Sequence, residues 1–380
     1  MKIYFLFKTF YRILFYYFSS TFFFIVSFIN ICLFRFRSSN KANYFIFPEK
    51  NFRFDRRSWP YLNHINLSQT LNIVRSNSVT LNLLLILKIP NIVFYIQLET
   101  ICKVLAKIKK KNRSIEILTS LLIFIFKFSR IKLFLSIDDY RVMTVFNRVC
   151  KILNIKIIFY MHGRFSKKIN AIKMIDPYKY LVWSDFFKKK LRKYNKSISY
   201  NNIIVTGNPH LKNFKNDLEK DHKNILFIGE KSINIKHYLQ IVQILGKDKI
   251  KFYYKLKPSE ILQLEIVKSL QSSNITVIDS CSLASTLRKF RIGFVVGNDS
   301  TALLEALFFL KIPITLNIRL RLNKEYAERN QIYKLNNLKK IRQLLNKKHL
   351  LQKRVLKNSI LIWRKSDKKV SIKKALNKFF

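Results

Sequence analysis

The chain has 380 residues, enough for two domains of ordinary size, and 72 lysines and arginines against 21 acidic residues give it a net charge of +51. Such a charge is typical of proteins that meet nucleic acid or an anionic membrane, but the basic residues are scattered, so we expect no nucleic-acid partner and favour a membrane surface. The four cysteines form no C-x-x-C pair and predict neither a disulfide framework nor a zinc site.

The first distinctive segment is an uncharged stretch from Ile13 to Phe34. It is long enough to cross a hydrocarbon core about 30 Å thick. Basic residues flank it on both sides and indicate no orientation: Lys2, Lys8 and Arg12 before it, Arg35 and Arg37 after it. No small-residue cleavage site ends the stretch, which argues against a signal peptide. We expect residues 1–40 to be a hydrophobic, membrane-associated leader with residues 13–34 as its anchor or monotopic segment; the alternative is the first strand and helix of a globular domain.

Residues 41–206 are predicted to form a first Rossmann-like domain. The predicted strands are Asn43–Phe47, Ile92–Ile96, Ile131–Ser136, Ile155–Tyr160, Tyr180–Trp183 and Ile203–Thr206. The predicted helices are Leu98–Lys110, Ile115–Phe128, Arg141–Leu153 and Asp185–Tyr194. Apolar strands that alternate with helices indicate a parallel sheet covered on both faces.

Residues 207–334 show the same alternation and predict a second Rossmann-like domain. The predicted strands are Asn224–Ile228, Lys251–Leu256, Ile275–Ile278, Ile292–Val296 and one after Pro313. The predicted helices are Ile233–Leu245, Ser259–Leu270, Ser282–Lys289 and a short one after Thr301. The expected fold class is therefore α/β, with two Rossmann-like domains behind a hydrophobic N-terminal segment. Residues 335–380 are predicted to be a basic helical tail that packs back across the domains.

Polar residues and glycines gather where the predicted strands end. In doubly wound sheets a ligand binds outside the carboxyl ends of the strands. The residues at these positions are Asp138, Asp139, His162, Gly163, Gly207, Asn208, Gly229, Lys257, Asn298, Ser300 and Thr301. Because they come from separate strand ends, they predict one shared ligand site.

The segment from Ile292 to Leu316 is the most informative part of the sequence, since it predicts a buried strand, a polar turn, a short helix and a second strand. Ser300 or Thr301 lies where the helix begins. Free backbone N–H groups and the helix dipole at that position favour a phosphate or diphosphate. The alternative role for both hydroxyls is simple N-capping, which is compatible with an anion site.

Other residues of the second domain are candidates for the same ligand. Asn298 and Lys257 are predicted to bind the diphosphate, although Lys257 could equally be a solvated lysine. Glu305, one helical turn after the polar turn, could reach a ribose hydroxyl or simply complement the helix dipole. Gly229 ends the first strand of this domain, where a glycine permits close approach of a nucleotide.

Four segments carry a resemblance to a known family: IFYMHGRFS (Ile158–Ser166), YLVWSDFFKKKL (Tyr180–Leu191), IIVTGNPHL (Ile203–Leu211) and VVGNDSTALLEALFFLKIPI (Val295–Ile314). In order and spacing they resemble bacterial GT-B glycosyltransferases of surface polysaccharide (capsule and O-antigen) biosynthesis, and the related enzymes that transfer glycerol phosphate from CDP-glycerol. The likeness covers about half of the chain. One departure is Lys257-Pro258, where members of the group often carry His-Pro: a lysine can hold phosphate as a point charge but does not replace an imidazole in proton transfer.

The resemblance implies a metal-independent enzyme without a cofactor, in which the first domain binds the acceptor and the second binds a nucleotide-sugar donor. It implies that His162 takes the proton of the acceptor hydroxyl. Gly163, Asp139 and Asn208 are expected to contact the acceptor or line the cleft, and a helix N-cap is the alternative for Asp139. A histidine that only caps a strand end is the alternative for His162. Asp138-Asp139 lacks the Asp-x-Asp spacing of a metal motif, so no bound metal is predicted. The expected acceptor is lipid-linked or a polysaccharide, at the cytoplasmic face of the cell membrane.

Two other functions remain open at this point. A transferase of alditol phosphate from CDP-glycerol would use the same pocket. A basic scaffold without catalysis, bound to a membrane or to nucleic acid, would use the strand-end residues only for structure. The scaffold predicts that substitution of His162 and Ser300 leaves function intact, whereas neutralising the two largest basic runs, Lys107–Arg113 and Lys188–Lys193, destroys it.

Overall fold

The structure is a computed structural model of the chain. It describes residues 19–33, 42–46, 70–74, 82–83, 86–87, 91–108, 114–137, 142–161, 163, 172, 176–208, 211, 223–230, 235–246, 248–256, 264–278, 282–316, 323–363 and 370–377. Within these residues, thirteen strands form two sheets, and every strand pairing in both sheets is parallel.

The first sheet has seven strands in the order β3-β2-β1-β4-β5-β6-β7. Its strands are β1 (Ala42–Ile46), β2 (Thr70–Val74), β3 (Ile92–Phe94), β4 (Leu133–Ile137), β5 (Lys156–Tyr160), β6 (Lys179–Val182) and β7 (Ile203–Val205). The chain begins in the middle of the sheet, winds to one edge, and then returns to build the other side. The strand order therefore reverses between β1 and β4.

The second sheet has six strands in the order β10-β9-β8-β11-β12-β13 and reverses between β8 and β11. Its strands are β8 (Asn224–Ile228), β9 (Phe252–Lys255), β10 (Ile275–Ile278), β11 (Ile292–Gly297), β12 (Ile312–Thr315) and β13 (Tyr333–Lys334). Every residue of β11 and β12 is buried, as expected for central parallel strands covered on both faces. Both sheets have the doubly wound Rossmann order, and this confirms the predicted fold class.

Helices fill the connections between the strands. In chain order they are α1 (residues 19–33), α2 (Tyr95–Ile108), α3 (Ser114–Phe128), α4 (Val142–Ile152), α5 (Asp185–Tyr194), α6 (Ile235–Leu245), α7 (Leu264–Ser272), α8 (Leu283–Lys289), α9 (Ala302–Phe308), α10 (Lys324–Glu328), α11 (Ile341–Asn346), α12 (Lys348–Trp363) and α13 (Ile372–Asn377). None of the helices in the described part of the chain combines the length and the apolar composition needed to cross a bilayer.

Helix α12 contacts both domains. The hydroxyl of Ser184, directly before α5, donates to the carbonyl of Ile362 at 2.6 Å, and the Trp363 indole N–H donates to the Leu304 carbonyl at 3.0 Å. The rings of Trp183 and Trp363 stack with their centroids 5.8 Å apart. Through these contacts α12 packs against residues of both domains, and the Trp183 ring lies in the interface with α12.

A second contact links α5 of the first domain to α10 of the second. Lys190 is buried, with its amine 3.3 Å from a carboxylate oxygen of Glu325 and 3.4 Å from the ring centroid of Tyr326. The Tyr194 hydroxyl donates to the same Glu325 carboxylate. Desolvation alone would raise the pKa of Glu325, but the hydrogen bond from Tyr194 and the charge of Lys190 outweigh it, so this pKa lies below its ordinary value. The two domains are therefore held together at one side by a partly buried polar cluster.

Three features differ from the sequence predictions. Strand β2 was not predicted because TLNIV is short and two of its residues are polar; Thr70 and Asn72 are nevertheless buried and bond to each other at 2.9 Å. Strand β13 has only two residues and is defined by its pairing with β12. The predicted strand Ile92–Ile96 ends at Phe94, where α2 begins.

Candidate functional site

The candidate site lies at the carboxyl edge of the second sheet. Strands β8 and β11 are neighbours, and the strand order of the sheet reverses between them. Ligands of doubly wound sheets bind at such a point. Gly229 and Glu230 follow β8, and residues 298–301 follow β11, so these two segments meet where a ligand is expected.

The carboxylate of Glu230 holds the segment after β11. It accepts hydrogen bonds from three consecutive backbone N–H groups: those of Asn298 at 2.8 Å, Asp299 at 2.7 Å and Ser300 at 3.1 Å. Glu230 is only 4% exposed, and a buried carboxylate needs such donors to offset its loss of hydration. Residues 298–300 therefore form a backbone nest that is filled by an anion from the chain itself.

Gly297 provides the space for this carboxylate. A Cβ atom at position 297 would lie 2.8 Å from Glu230 Oε1 and 3.5 Å from the Cβ of Ile228. The first distance is shorter than a normal non-bonded contact. Only a glycine therefore permits Glu230 to approach the nest at its observed position.

Asn323 and Thr315 hold the nest from the other side. The Asn323 amide donates to the Asn298 carbonyl at 2.8 Å, and the Asn323 backbone N–H donates to the Asp299 carboxylate at 2.9 Å. The Thr315 hydroxyl lies 3.3 Å from the Asn298 side-chain oxygen. Because Asn323, Thr315 and Asn298 are all fully buried, the loop is fixed in one conformation by polar contacts from three elements.

This network corrects one prediction made from the sequence. Free backbone N–H groups for a phosphate were expected beside Ser300 or Thr301, but the Ser300 N–H donates to Glu230, as do those of Asn298 and Asp299. The Ser300 hydroxyl accepts from the Ala302 backbone N–H at 3.2 Å, so it caps the first turn of α9. Binding of a diphosphate by Asn298 or Ser300 stays a prediction, and it would have to use the atoms that this network leaves accessible.

Thr301 and Glu305 lie further along the same segment. Both are partly exposed, and the Thr301 carbonyl accepts from the Glu305 backbone N–H at 3.1 Å in the first turn of α9. Burial of the Glu305 carboxyl raises its pKa from 4.5 to about 7. A carboxyl that titrates near neutrality can accept or donate a hydrogen bond under ordinary conditions, which suits a contact with a ribose hydroxyl; that contact stays a prediction.

The first domain approaches this site at the end of β5. A Cβ atom on Gly163 would lie 3.7 Å from Thr301 Oγ1, an ordinary van der Waals distance. Gly163 and Thr301 thus face each other directly across the two domains. The structure therefore brings together one predicted acceptor-side residue and one predicted donor-side residue.

Asn208 and Gly229 are both buried. The chain turns after β7 at Gly207, whose φ of 79° favours glycine, and Asn208 then lies buried, with its carbonyl accepting from the Leu211 N–H at 3.2 Å. The Gly229 N–H donates to the Lys255 carbonyl at 2.9 Å, as a continuation of the sheet pairing. The predicted ligand contacts of Asn208 and Gly229 stay predictions.

Three predicted site residues, His162, Asp139 and Lys257, lie outside the described residues. Their roles as general base, acceptor contact and phosphate contact therefore stay predictions. Within the ranges that the structure describes, no three His, Cys, Asp or Glu side chains are grouped so that they could hold a metal ion.

Sequence reasoning missed the residues that organise the nest. A signal for Glu230 did exist, because an acid directly after a strand lies beside the end of the neighbouring parallel strand, and β8 and β11 were both predicted. Asn323 has no such signal. It follows β12 by eight positions and reaches the nest only through the path of the chain to α10.

Solved structures share this architecture, whereas no family model and no curated protein matched the sequence. The Staphylococcus aureus MnaA–UDP co-structure has a TM-score of 0.55 and 11% identity, over 89% of this chain and 95% of that chain. The UDP-GlcNAc 2-epimerase from Neisseria meningitidis bound to UDP-GlcNAc has a TM-score of 0.55 and 14% identity, over 89% and 98%. The spinosyn rhamnosyltransferase SpnG complexed with thymidine diphosphate has a TM-score of 0.52 and 8% identity, over 89% and 99%.

These likenesses extend over both domains and define the class of fold. The chain has the GT-B architecture, two Rossmann-like domains whose sheet edges face a shared cleft. At such low identity the likeness establishes the fold and leaves the chemistry to the residues of this chain.

Proposed function

We propose that this protein is a glycosyltransferase that moves a sugar from a nucleotide-activated donor to a lipid-linked or polysaccharide acceptor in cell-surface polysaccharide biosynthesis. The observation that carries the proposal is the apposition of Gly163 and Thr301 at the facing edges of the two domains. The three similar structures described above each contain a nucleotide or a nucleotide sugar, which supports a nucleoside diphosphate as the donor's leaving group.

The second domain would hold the donor. The hydroxyl of Thr301 and the charge of Lys257 would bind the diphosphate, and Glu305 would bind the ribose. Because Glu230 already fills the nest at residues 298–300, the phosphates would lie on the Thr301 side of the loop, away from the Glu230 carboxylate. Fixed donors at this position would stabilise the negative charge that develops on the leaving group.

The first domain would bind the acceptor and supply the base that takes its proton. A bond forms between an acceptor hydroxyl oxygen and the anomeric carbon of the sugar, while the bond from that carbon to the diphosphate oxygen breaks. The hydroxyl proton goes to His162, and the nucleoside diphosphate leaves with the bond's electron pair. Closure of the two domains would exclude water and limit hydrolysis of the donor.

A second candidate is isomerisation of a nucleotide sugar without an acceptor. The fold likeness to a UDP-GlcNAc 2-epimerase bound to its ligand favours it. Both functions need the same nucleotide site, but they differ in what happens to the donor when no acceptor is present.

The test is to incubate the full chain with UDP-, GDP- and dTDP-sugars and with CDP-glycerol, in turn, with and without a membrane extract as acceptor. Transfer that requires the extract and is lost in His162→Gln supports the glycosyltransferase. Conversion of the donor to an isomer in the absence of extract overturns it in favour of an epimerase, and turnover of CDP-glycerol alone overturns it in favour of an alditol phosphate transferase. No turnover of any donor contradicts the proposal.

A further inference from the structure

Helix α1 presents an apolar face to solvent. The exposed large side chains of this helix have between 38% and 53% of their surface accessible, and they are Phe22, Ile25, Phe28, Ile29 and Leu33. Residues three and four apart lie on the same side of a helix, so these side chains form one continuous stripe. We call this stripe the α1 outer face.

The opposite side of α1 is fixed to the first domain. Phe23, Ser27 and Ile31 are buried, and the Phe23 ring lies 4.9 Å from the ring of Phe94. The Phe94 backbone N–H, in the edge strand β3, donates to the Ser27 hydroxyl at 2.9 Å. The helix is therefore a packed element of the domain, and its outer face is oriented by that packing.

Helix α1 has large apolar side chains on both its buried and its exposed side, whereas an ordinary surface helix turns a polar or charged face to water. The helix carries no charged residue, and its outer face contains the large apolar side chains while three serines, Ser19, Ser20 and Ser27, lie buried. Helix α12 shows the ordinary pattern: Leu356 and Ile360 are similarly exposed but lie among Lys353, Arg354 and Lys357. An outer face such as that of α1 needs an apolar environment.

We propose that the α1 outer face is a monotopic membrane-binding surface, which inserts into the boundary between headgroups and acyl chains of an anionic bilayer. The buried contacts of Phe23, Ser27 and Ile31 keep the helix on the domain, so it lies along the membrane and does not cross it.

The net charge of the chain favours a bilayer over a second copy of the chain as the partner of the α1 outer face. The chain carries a net charge of +51, and basic residues follow the helix in sequence at Arg35 and Arg37 and precede it at Lys8 and Arg12. Anionic lipid attracts such residues by about 1 kcal/mol each. Two copies that met through this face would instead bring like charges together. The proposal is independent of the reaction that the cleft performs.

The test is flotation of the full chain with vesicles of phosphatidylcholine alone and with vesicles that also contain phosphatidylglycerol. The variant is Ile25→Gln/Ile29→Gln, and the matched control is Leu356→Gln/Ile360→Gln, the same spacing and the same kind of change on α12. We expect wild type and control to float with the anionic vesicles and the α1 variant to partition at least about tenfold more weakly. Arg35→Gln/Arg37→Gln is expected to weaken binding to anionic vesicles only.

Thermal unfolding and size-exclusion chromatography of each variant complete the test. Wild type that stays free of both kinds of vesicle, or an α1 variant that binds as tightly as wild type, would overturn the proposal. So would a wild-type dimer that becomes a monomer in the α1 variant, because the face would then bind a second copy. An α1 variant that unfolds like wild type yet no longer floats is the expected result.

Discussion

The two sheets have the same strand order, but the loops at their carboxyl edges differ. At the edge of the second sheet, the loop after β11 is held by the carboxylate of Glu230 and the amide of Asn323. At the edge of the first sheet, β5 is followed by Gly163, which has room for a Cβ atom. One edge is rigid and closed to further backbone contacts, whereas the other presents a small residue to the cleft. The fold alone thus does not decide where a ligand can bind; the loops that end the strands do.

The largest difference in stability is expected between Gly297→Ala and Gly163→Ala, which add the same methyl group at the carboxyl edges of the second and the first sheet. Gly297→Ala puts a Cβ 2.8 Å from Glu230 Oε1 and should lower the free energy of unfolding by about 2–3 kcal/mol, because the carboxylate must leave the nest. Gly163→Ala places its Cβ 3.7 Å from Thr301 Oγ1 and should change stability by less than about 0.5 kcal/mol. Urea unfolding measures the free energy of unfolding of both variants, and equal losses would contradict the difference between the two edges.

Removal of the charge of Glu230 tests the nest directly. Glu230→Gln replaces one accepting oxygen with an N–H donor that faces backbone donors, so we expect a loss of about 1–3 kcal/mol in the free energy of unfolding. Asp248→Asn is the control, because Asp248 forms an exposed ion pair with Arg342 and should cost less than about 1 kcal/mol. A Glu230→Gln protein as stable as wild type would show that the nest needs no anion.

The contact between Lys190 of α5 and Glu325 of α10 should have a smaller effect on the free energy of unfolding. Lys190→Met leaves Glu325 without its buried cation and should lower the free energy of unfolding by about 1–2 kcal/mol at neutral pH. The folded pKa of Glu325 is below its ordinary value, so its contribution is present above the unfolded pKa and is lost as pH falls through the folded pKa. The difference between variant and wild type should therefore shrink in acid, as unfolding at a series of pH values would reveal.

The control for that prediction is Lys324→Met. Lys324 and Glu328 form an exposed pair 3.8 Å apart on one turn of α10, and such pairs contribute less than about 0.5 kcal/mol. A loss in Lys324→Met as large as that in Lys190→Met would mean that the effect comes from net charge and is not specific to the interdomain contact.

The last prediction concerns the pH dependence that Glu305 gives to stability. Its folded pKa of about 7 exceeds the ordinary 4.5, so the folded state binds this proton more tightly, and stability falls as pH rises from about 4.5 to about 7. Each pH unit in that window is worth about 1.4 kcal/mol in the fully buried limit; because Glu305 is partly exposed, we expect about 1–2 kcal/mol in all. Glu305→Gln should therefore be more stable than wild type at pH 8 and similar to it at pH 4. A difference that does not vary with pH would contradict this assignment.

Most of the fold was predictable, because central parallel strands are apolar throughout and their ends are marked. Strands β8 and β10 and helix α5 have the predicted bounds, and β11 is longer by one residue. Strand β2 was missed because its buried Thr70 and Asn72 satisfy each other locally, which apolar patterning does not reveal.

The candidate site was predictable in position but not in chemistry. The ends of the predicted strands indicated a shared ligand site, and Thr301 and Gly163 were placed on opposite sides of one cleft from their strand ends. The occupation of the nest by Glu230 is a contact between residues 68 to 70 positions apart, and the support from Asn323 depends on the path of the chain after β12. The place of Glu230 after β8 is a signal that it lies near the end of β11, whereas the contact of Asn323 has no local pattern from which it could be predicted.

The central claim is that the cleft binds a nucleoside diphosphate beside Thr301. The most direct test is the thermal stability of the full chain with UDP, GDP, CMP, CDP and dTDP, for wild type, Thr301→Val and the control Ser272→Ala, whose hydroxyl is exposed and remote from the cleft. A ligand that binds only the folded state adds about 2.7 kcal/mol at a hundredfold excess over its dissociation constant. We expect one of these nucleotides to raise the melting temperature of wild type and control but not of Thr301→Val. No stabilisation of wild type by any of them at millimolar concentration would contradict it.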